Sequence, residues 1–311
     1  MKKSIFIFSL IFVVGSIPIS IHFIGSNSLV VDTASLPSRS LTLLEQQAQI
    51  FAGLIIKPIY MILSFIIILA IIGQRRSPIR ALQWGQIAFL AGEIFCAINF
   101  YIFKHKSIFS EYLHSYGMAI AFGLTIYAIV EGLEMRFVQK NRHKSVREAR
   151  EMIQFIIPIL AALSFIPILS PIKIDAYLVS ILGFPYSYIR LEFYEMYEHK
   201  ILPMLALASF ILAFLFLIKK GDDKSIPFIA KVFLSSGLGF LGFSFFRVTL
   251  NALFASNLVW FEFWEEATEL MFVGIIGFTL WQYRKILLEK TMMLENIDGY
   301  FTPPTHPPST T

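Results

Sequence analysis

The chain alternates long apolar stretches with short polar connections. A membrane-spanning helix needs about 20 predominantly apolar residues, and eight stretches approach that length and composition. The pattern therefore predicts an all-α, polytopic integral membrane bundle of about eight transmembrane helices. The predicted spans are Ser4–Ile21, Phe51–Ile72, Trp84–Phe103, Gly117–Phe137, Ile153–Ile172, Ile201–Ile218, Ile226–Leu250 and Phe263–Tyr283.

Basic residues are distributed unevenly between the two sides of this arrangement. Of the 26 Lys and Arg residues, 17 fall at the termini and in the connections on one side. Cytoplasmic loops of membrane proteins carry such an excess of Lys and Arg. The distribution therefore predicts that both termini are cytoplasmic and that the chain resides in a cell membrane, either a plasma membrane or a bacterial inner membrane.

The two ends of the chain differ from its centre. Residues 1–23 begin with a basic start and a short apolar core, which predicts an N-terminal membrane anchor. A cleaved signal peptide is the alternative, and it would leave seven spans. We predict an external loop with a short interfacial helix for residues 24–50, the membrane bundle for 51–284, and a cytoplasmic tail for 285–311 whose end, rich in Pro and Thr, is disordered.

Composition supports a lipid environment and excludes other classes of protein. Hydrophobic residues make up 56% of the chain and charged residues 15%, with a mean hydropathy of +0.69, whereas a soluble domain has about a quarter charged residues. The net charge of +5 arises from short loops, which argues against nucleic-acid binding. Cys96 is the only cysteine, so no intrachain disulfide can form. Besides the lipid bilayer, this composition is compatible with a membrane-protein partner or with a homo-oligomer.

Acidic residues and histidines recur where three predicted helices begin at the external face. Glu111 and His114 are three residues apart and Glu195 and His199 are four apart, so each pair shares one helix face. Carboxylates and imidazoles that converge from several helices build metal sites in helical bundles, and such ligands suit iron, zinc or manganese. We therefore predict a metal-ion site composed of Glu111, His114, Glu195, His199, Glu265 and Glu269.

A second set of polar residues lies deeper in the predicted spans. Glu93 is near the middle of its span, where an exposed carboxylate would cost a few kcal/mol, so it should face the bundle interior and have a partner. Arg247 is a natural counter-charge for the external acids. With Asn99 and Asn251 these residues form a predicted proton or ion path. Lys57, close to the predicted start of its span, is expected to snorkel to the interface.

Three functions are consistent with these patterns. The first is transport of a cation with proton exchange at Glu93, which predicts a polar path to both membrane faces. The second is a membrane metalloenzyme with one open ligand position, which predicts a cavity that opens to the external side or to lipid. The third is a non-catalytic subunit, with scattered acids that dock a partner. Acidic residues at helix starts can also have no further role than to contact water and interact favourably with the positive end of the helix dipole.

Overall fold

The computed structural model describes most of the predicted bundle. The described residues are 35–74, 76–103, 107–140, 144–173, 175–190, 195–219, 226–254 and 256–282. The predicted anchor at 1–23, the first part of the 24–50 loop, and the predicted tail at 285–311 lie outside the described residues.

Helices form most of the described chain. They are α1 (Leu43–Phe51), α2 (Lys57–Ile71), α3 (Ser77–Ile98), α4 (Ile108–Lys140), α5 (Lys144–Leu163), α6 (Phe165–Leu169), α7 (Leu202–Lys219), α8 (Phe228–Phe254) and α9 (Leu258–Gln282). Among the described helices, wider π-helical turns occur at three ends: Ala52–Ile56 joins α1 to α2, Asn99–Phe103 extends α3, and Tyr197–Ile201 precedes α7. Such turns are rare and are frequently found at functional sites.

Within the described part of the chain, six helical segments are long and apolar enough to cross a membrane, which confirms a mostly helical, multi-pass membrane protein. They are Leu43–Ile71, Ser77–Phe103, Ile108–Leu133, Glu148–Leu169, Tyr197–Ile218 and Phe228–Phe254. Each overlaps one of the spans predicted from the sequence. The total of eight spans and the side on which each terminus lies remain predictions.

Helix α9 is also long, but its two faces differ in polarity. Its 25 residues measure about 37 Å along the axis. One face is exposed and apolar, and it carries Met271, Ile275, Phe278 and Trp281. The first half of the helix carries Glu262, Glu265, Glu266 and Glu269. This charge content separates α9 from the six simple spans, so the predicted span Phe263–Tyr283 stays a prediction.

Close backbone contacts fix α4 between two other helices. A Cβ atom on Gly117 would lie 2.7 Å from Gly92 Cα on α3, and one on Gly239 of α8 would lie 2.7 Å from Gly123 Cα. Small residues at such contacts allow helices to approach closely within a membrane. Because Glu93 follows Gly92 directly, the first contact brings polar residues of α3 and α4 together.

A β-hairpin, which the all-helical prediction missed, connects α6 to α7. Strands β1 (Asp175–Ile181) and β2 (Phe184–Arg190) pair antiparallel. Leu182 and Gly183 join them, with φ angles of 52° and 85°, and positive φ at both central residues is typical of a two-residue hairpin turn. A two-residue turn containing Gly between aromatic-rich segments was the available signal. We call the end of the bundle that carries this structure the hairpin end.

Tyrosines of β2 attach the hairpin to the helices. The Tyr188 hydroxyl donates to Gln49 Oε1 of α1 at 2.6 Å, and the Tyr186 hydroxyl donates to Glu262 Oε2 of α9 at 3.3 Å. Burial raises the pKa of both tyrosines well above the ordinary value. Both hydroxyls therefore stay protonated and act as donors, and the hairpin covers the space between α1 and α9.

The α4–α8 contact can be tested with a pair of glycines on α8. Gly239→Ala should lower the free energy of unfolding by about 1–3 kcal/mol, because its methyl group would overlap the backbone of α4. A Cβ on Gly242 meets nothing within 4 Å among the described residues, so Gly242→Ala should unfold at the wild-type temperature or slightly above. Thermal unfolding in detergent measures both variants, and equal effects would contradict the contact.

Candidate functional site

Charged and polar side chains gather inside the hairpin end of the bundle. The set includes all ten site residues predicted from the sequence and several that were not predicted. We call it the hairpin-end cluster: Lys57, Tyr60, Glu93, Asn99, Glu111, His114, Arg190, Glu195, Glu198, His199, Arg247, Asn251, Glu262, Glu265, Glu266 and Glu269. Its acidic side chains lie within the bundle and share the same basic partners, such as Lys57 and Arg247. They do not each extend separately into water.

His114 lies at the centre of one part of the cluster, which we call the His114 group. The side chain is 1% exposed. Its Nδ1 atom lies 3.1 Å from Glu93 Oε1 on α3. On the other side of the ring, Nε2 lies 3.5 Å from Glu265 Oε1 and 3.9 Å from Glu269 Oε1, both on α9. Three helices thus bring one imidazole and three carboxylates together.

The geometry of the side chains in the His114 group leaves several buried polar atoms without hydrogen bonds. Among the described residues, neither ring nitrogen of His114 nor either carboxylate oxygen of Glu269 has a hydrogen-bond partner. Burial of such atoms without partners costs several kcal/mol. Two ligands about 2.1 Å from one ion in tetrahedral geometry lie about 3.4 Å apart, which is close to the His114–Glu265 separation. The donor set therefore fits a metal ion.

Lys57 occupies a neighbouring position, and the expectation that it snorkels to the interface is wrong. Its ammonium group is buried and lies 2.8 Å from both Glu93 Oε2 and Glu266 Oε1. It also donates to the Tyr60 hydroxyl at 2.9 Å and approaches Cys96 Sγ at 3.4 Å. Tyr60 in turn donates to Glu266 Oε2 at 2.5 Å and contacts Glu93.

The error about Lys57 has a structural cause. The sequence prediction started the span at Phe51, which placed Lys57 near an end. The helix instead begins at Leu43 and continues through the π turn to Ile71, so Lys57 lies midway along it. A cation at that depth needs a buried counter-charge. The same principle correctly predicted that Glu93 faces the bundle interior.

Arg247 joins several acids, as its predicted role of counter-charge implies. Its Nε atom donates to Glu198 Oε2 at 2.8 Å, and its Nη2 atom donates to Glu111 Oε1 at 3.4 Å. Nη1 contacts Glu265. Arg190 of β2 shares Glu198 with it at 3.3 Å. The hairpin therefore contributes a cation that the sequence analysis did not assign to the site.

The other predicted ligands form a separate group. Asn251 Nδ2 donates to Glu195 Oε2 at 2.6 Å, and His199 Nε2 lies 3.1 Å from the same oxygen. Neither ring nitrogen of His199 has a regular hydrogen bond within the described part of the chain. Glu198 and Arg247, bonded to each other, link this group to the His114 group. The structure thus divides the predicted ligands between two places.

Glu111 and Asn99 lie at the edge of the cluster. Besides its contact with Arg247, Glu111 accepts from Asn99 Nδ2 at 3.4 Å. Asn99 Oδ1 accepts from the backbone N–H of Ser107 at 2.9 Å. These bonds join the end of α3 to the start of α4. Asn99 therefore lies toward the hairpin end and does not extend the Glu93 position into the bundle.

A small cavity connects the cluster to the hairpin. Its volume is about 40 Å³, enough for a few water molecules. It lies between the π turn after α1, the ends of α3 and β2, and the start of α9. The lining residues that carry charge are Glu111, Arg190, Glu262, Glu265 and Glu266. The cavity therefore reaches Glu265, which also belongs to the His114 group.

An aromatic layer lies directly beneath the cluster, on the side away from the hairpin. Ring centroids are 5.6 Å apart for Tyr60–Phe89, 5.7 Å for Phe89–Phe272, 4.8 Å for Phe272–Phe122 and 6.3 Å for Phe122–Phe243. Each ring belongs to a helix that also contributes to the cluster. The layer separates the charged groups from the other half of the bundle.

Comparisons with known proteins supply no family or function. No family model matches the chain, and no curated protein or solved structure matches it significantly. The site alone therefore indicates what the protein does.

Glu195, which contacts His199 and Asn251, should make stability depend on pH. Burial raises the pKa of Glu195, which precedes the span Tyr197–Ile218, to about 7. A raised folded-state pKa gives stability that is complete below the unfolded value of about 4.5 and is lost as the pH rises through about 7. Relative to Glu195→Gln, the wild type should therefore lose up to about 1.4 kcal/mol per pH unit in this window.

Unfolding midpoints measured from pH 4 to 8 check this difference. Glu148→Gln, which changes an exposed glutamate on α5, should retain the wild-type pH profile. If Glu195→Gln has the same profile as the wild type, Glu195 does not titrate in this window.

Proposed function

We propose that this multi-pass membrane protein contains a resident divalent metal centre at its hairpin end, with His114, Glu265 and Glu269 as ligands. One observation carries the proposal: His114 Nε2 faces two carboxylates at 3.5 and 3.9 Å, and no hydrogen bond within the described chain satisfies it. An ion between these groups would satisfy the imidazole and Glu269, and it would share Glu265 Oε1 with Arg247 Nη1. Iron, zinc and manganese suit this combination of ligands.

Glu93 supports the centre by orienting His114. Metal-bound histidines usually donate their second ring N–H to a carboxylate, which fixes the tautomer and the ring position. Glu93 Oε1 lies 3.1 Å from His114 Nδ1 and comes from a different helix. With the proton on Nδ1, Nε2 would carry the free lone pair, and Nε2 is the ring nitrogen that lies nearer to Glu265 and Glu269.

The charge of the cluster favours a bound cation. Within the described residues, the hairpin-end cluster contains eight glutamates, and members of this set form ion pairs with three Lys or Arg side chains, which are Lys57, Arg190 and Arg247. Carboxylates this close cannot all ionise without protons or cations. A divalent ion removes more of the imbalance than a single proton does.

The surroundings favour a metalloenzyme over a transporter. The cavity at the hairpin end reaches Glu265, so one ligand position can be open to water. The aromatic layer closes the opposite side, with Phe89 and Phe243 completely buried. When bound, the ion would polarise a water molecule or a substrate carbonyl. The convergence of the acids also makes a purely docking subunit the weakest of the three hypotheses.

Cation transport is the second candidate. Buried polar atoms without hydrogen bonds within the described chain also occur beyond the aromatic layer, at Gln86 Nε2, Thr125 Oγ1 and Ser235 Oγ. Such groups could line a path to the other membrane face. Transport would require the aromatic layer to open and Glu93 to exchange a proton as the ion passes.

Metal analysis tests the centre directly. The purified wild type should bind close to one zinc, iron or manganese ion per chain, and His114→Ala combined with Glu269→Gln should abolish binding, because two ligands are lost. Glu93→Gln should weaken affinity by about 10–100-fold through loss of the orienting carboxylate.

A carboxylate elsewhere on α4 provides the control for this experiment. Glu131→Gln removes an acid that pairs with Lys231 at the opposite end of α4 from His114, and it should leave metal content unchanged. Equal metal content in the wild type and the double variant would exclude the proposed centre.

Flux measurements distinguish the two candidates. Protein reconstituted into liposomes should release or accumulate no zinc above the level of protein-free liposomes, because the aromatic layer closes one side of the site. Zinc flux that is present in the wild type and absent in Glu93→Gln would instead establish transport. Phe89→Ala, which opens the layer, serves as a comparison in the same assay.

A further inference from the structure

The ammonium group of Lys57 lies where a second metal ion would be expected. Within the described residues, its four hydrogen-bonding neighbours are the carboxylates of Glu93 and Glu266 at 2.8 Å, the Tyr60 hydroxyl at 2.9 Å and Cys96 Sγ at 3.4 Å. These groups come from α2, α3 and α9. Carboxylate oxygen and thiolate are ligands that metal ions such as zinc also accept.

Shared carboxylates connect the His114 group to Lys57. Glu93 directs Oε1 toward His114 and Oε2 toward Lys57. Donor atoms of Glu93, Glu266 and Glu269 all lie within 4.8 Å of one another. The two oxygens of Glu269, which is 2% exposed, have no hydrogen-bond partner in the described chain. Shared carboxylates between two cation positions are the arrangement of di-metal sites in helical bundles.

We propose that Lys57 is a built-in cation that replaces the second metal ion of a carboxylate centre and limits the protein to one ion. This inference rests on the proposed metal site. The lysine neutralises part of the charge of Glu93 and Glu266 without dissociating. Because a metal ion at that position would bring two positive charges against an ammonium group, the second ion is excluded while the first position, at His114, stays available.

Substitution of Lys57 tests this role. The wild type, titrated with zinc, should bind one ion per chain. Lys57→Met removes the charge and keeps an unbranched side chain, so it should raise the stoichiometry to two. Lys57→Arg retains the charge and should remain at one. One ion or none in folded Lys57→Met would overturn the inference.

A second variant keeps the inference testable if Lys57→Met does not fold. Glu266→Gln changes an acid bound to Lys57 but not to His114. In otherwise wild-type protein it should keep one ion and shift the zinc affinity by less than about threefold, well below the 10–100-fold loss typical of a residue that supports a metal ligand. A loss of more than tenfold would place the ion on the Lys57 side and contradict the inference.

The result also separates this inference from the proposed function. If the wild type binds no metal ion, the proposed centre and the role of Lys57 both fail. If the wild type binds one zinc ion and Lys57→Met also binds one, the centre stands and only the role of Lys57 is wrong.

Discussion

The architecture depends on one electrostatic constraint: an apolar bundle encloses more carboxylates than permanent cations. Ionised groups are costly to bury unless they are paired, and in a membrane the surrounding lipid supplies no compensation. Lys57, Arg190 and Arg247 each contact one or more glutamates, yet His114 and Glu269 retain unsatisfied atoms. The remaining negative charge must be balanced by protons or by a bound cation, and this need defines the chemistry of the site.

The fold meets this constraint by bringing separate helices together at one depth. Glycine contacts bring α4 against α3 and α8, and the three π turns lie where Lys57, Asn99 and His199 enter the cluster. The hairpin covers the same end and adds Arg190. Beneath it, the aromatic layer packs against the cluster, so on that side the charged groups face aromatic rings rather than water.

The division of the cluster into two groups has a simple cause. The guanidinium of Arg247 bonds both Glu198 and Glu265. It therefore lies between the His114 group and the group that contains Glu195 and His199, and it connects the two. On one side, His114 faces Glu265 and Glu269, and the oxygens of Glu269 accept no hydrogen bond within the described chain. This arrangement favours the binding of a cation. On the other side Glu195 lies near Arg190 and Arg247, and burial still raises its pKa to about 7.

The sequence determined the apolar spans, the inward orientation of Glu93, and the use of Arg247 as a counter-charge, because these follow from local composition and the cost of burying charge. Tertiary structure decided which acids meet. The rotation of each helix about its axis and the contacts across α3, α4 and α9 place Glu265 and Glu269, but not Glu195, beside His114. The position of Lys57 was also decided there, since its ammonium group pairs with Glu93 and Glu266, which are distant in the chain. The hairpin itself forms between neighbouring segments, but its docking through Tyr188 and Tyr186 depends on the distant residues Gln49 and Glu262.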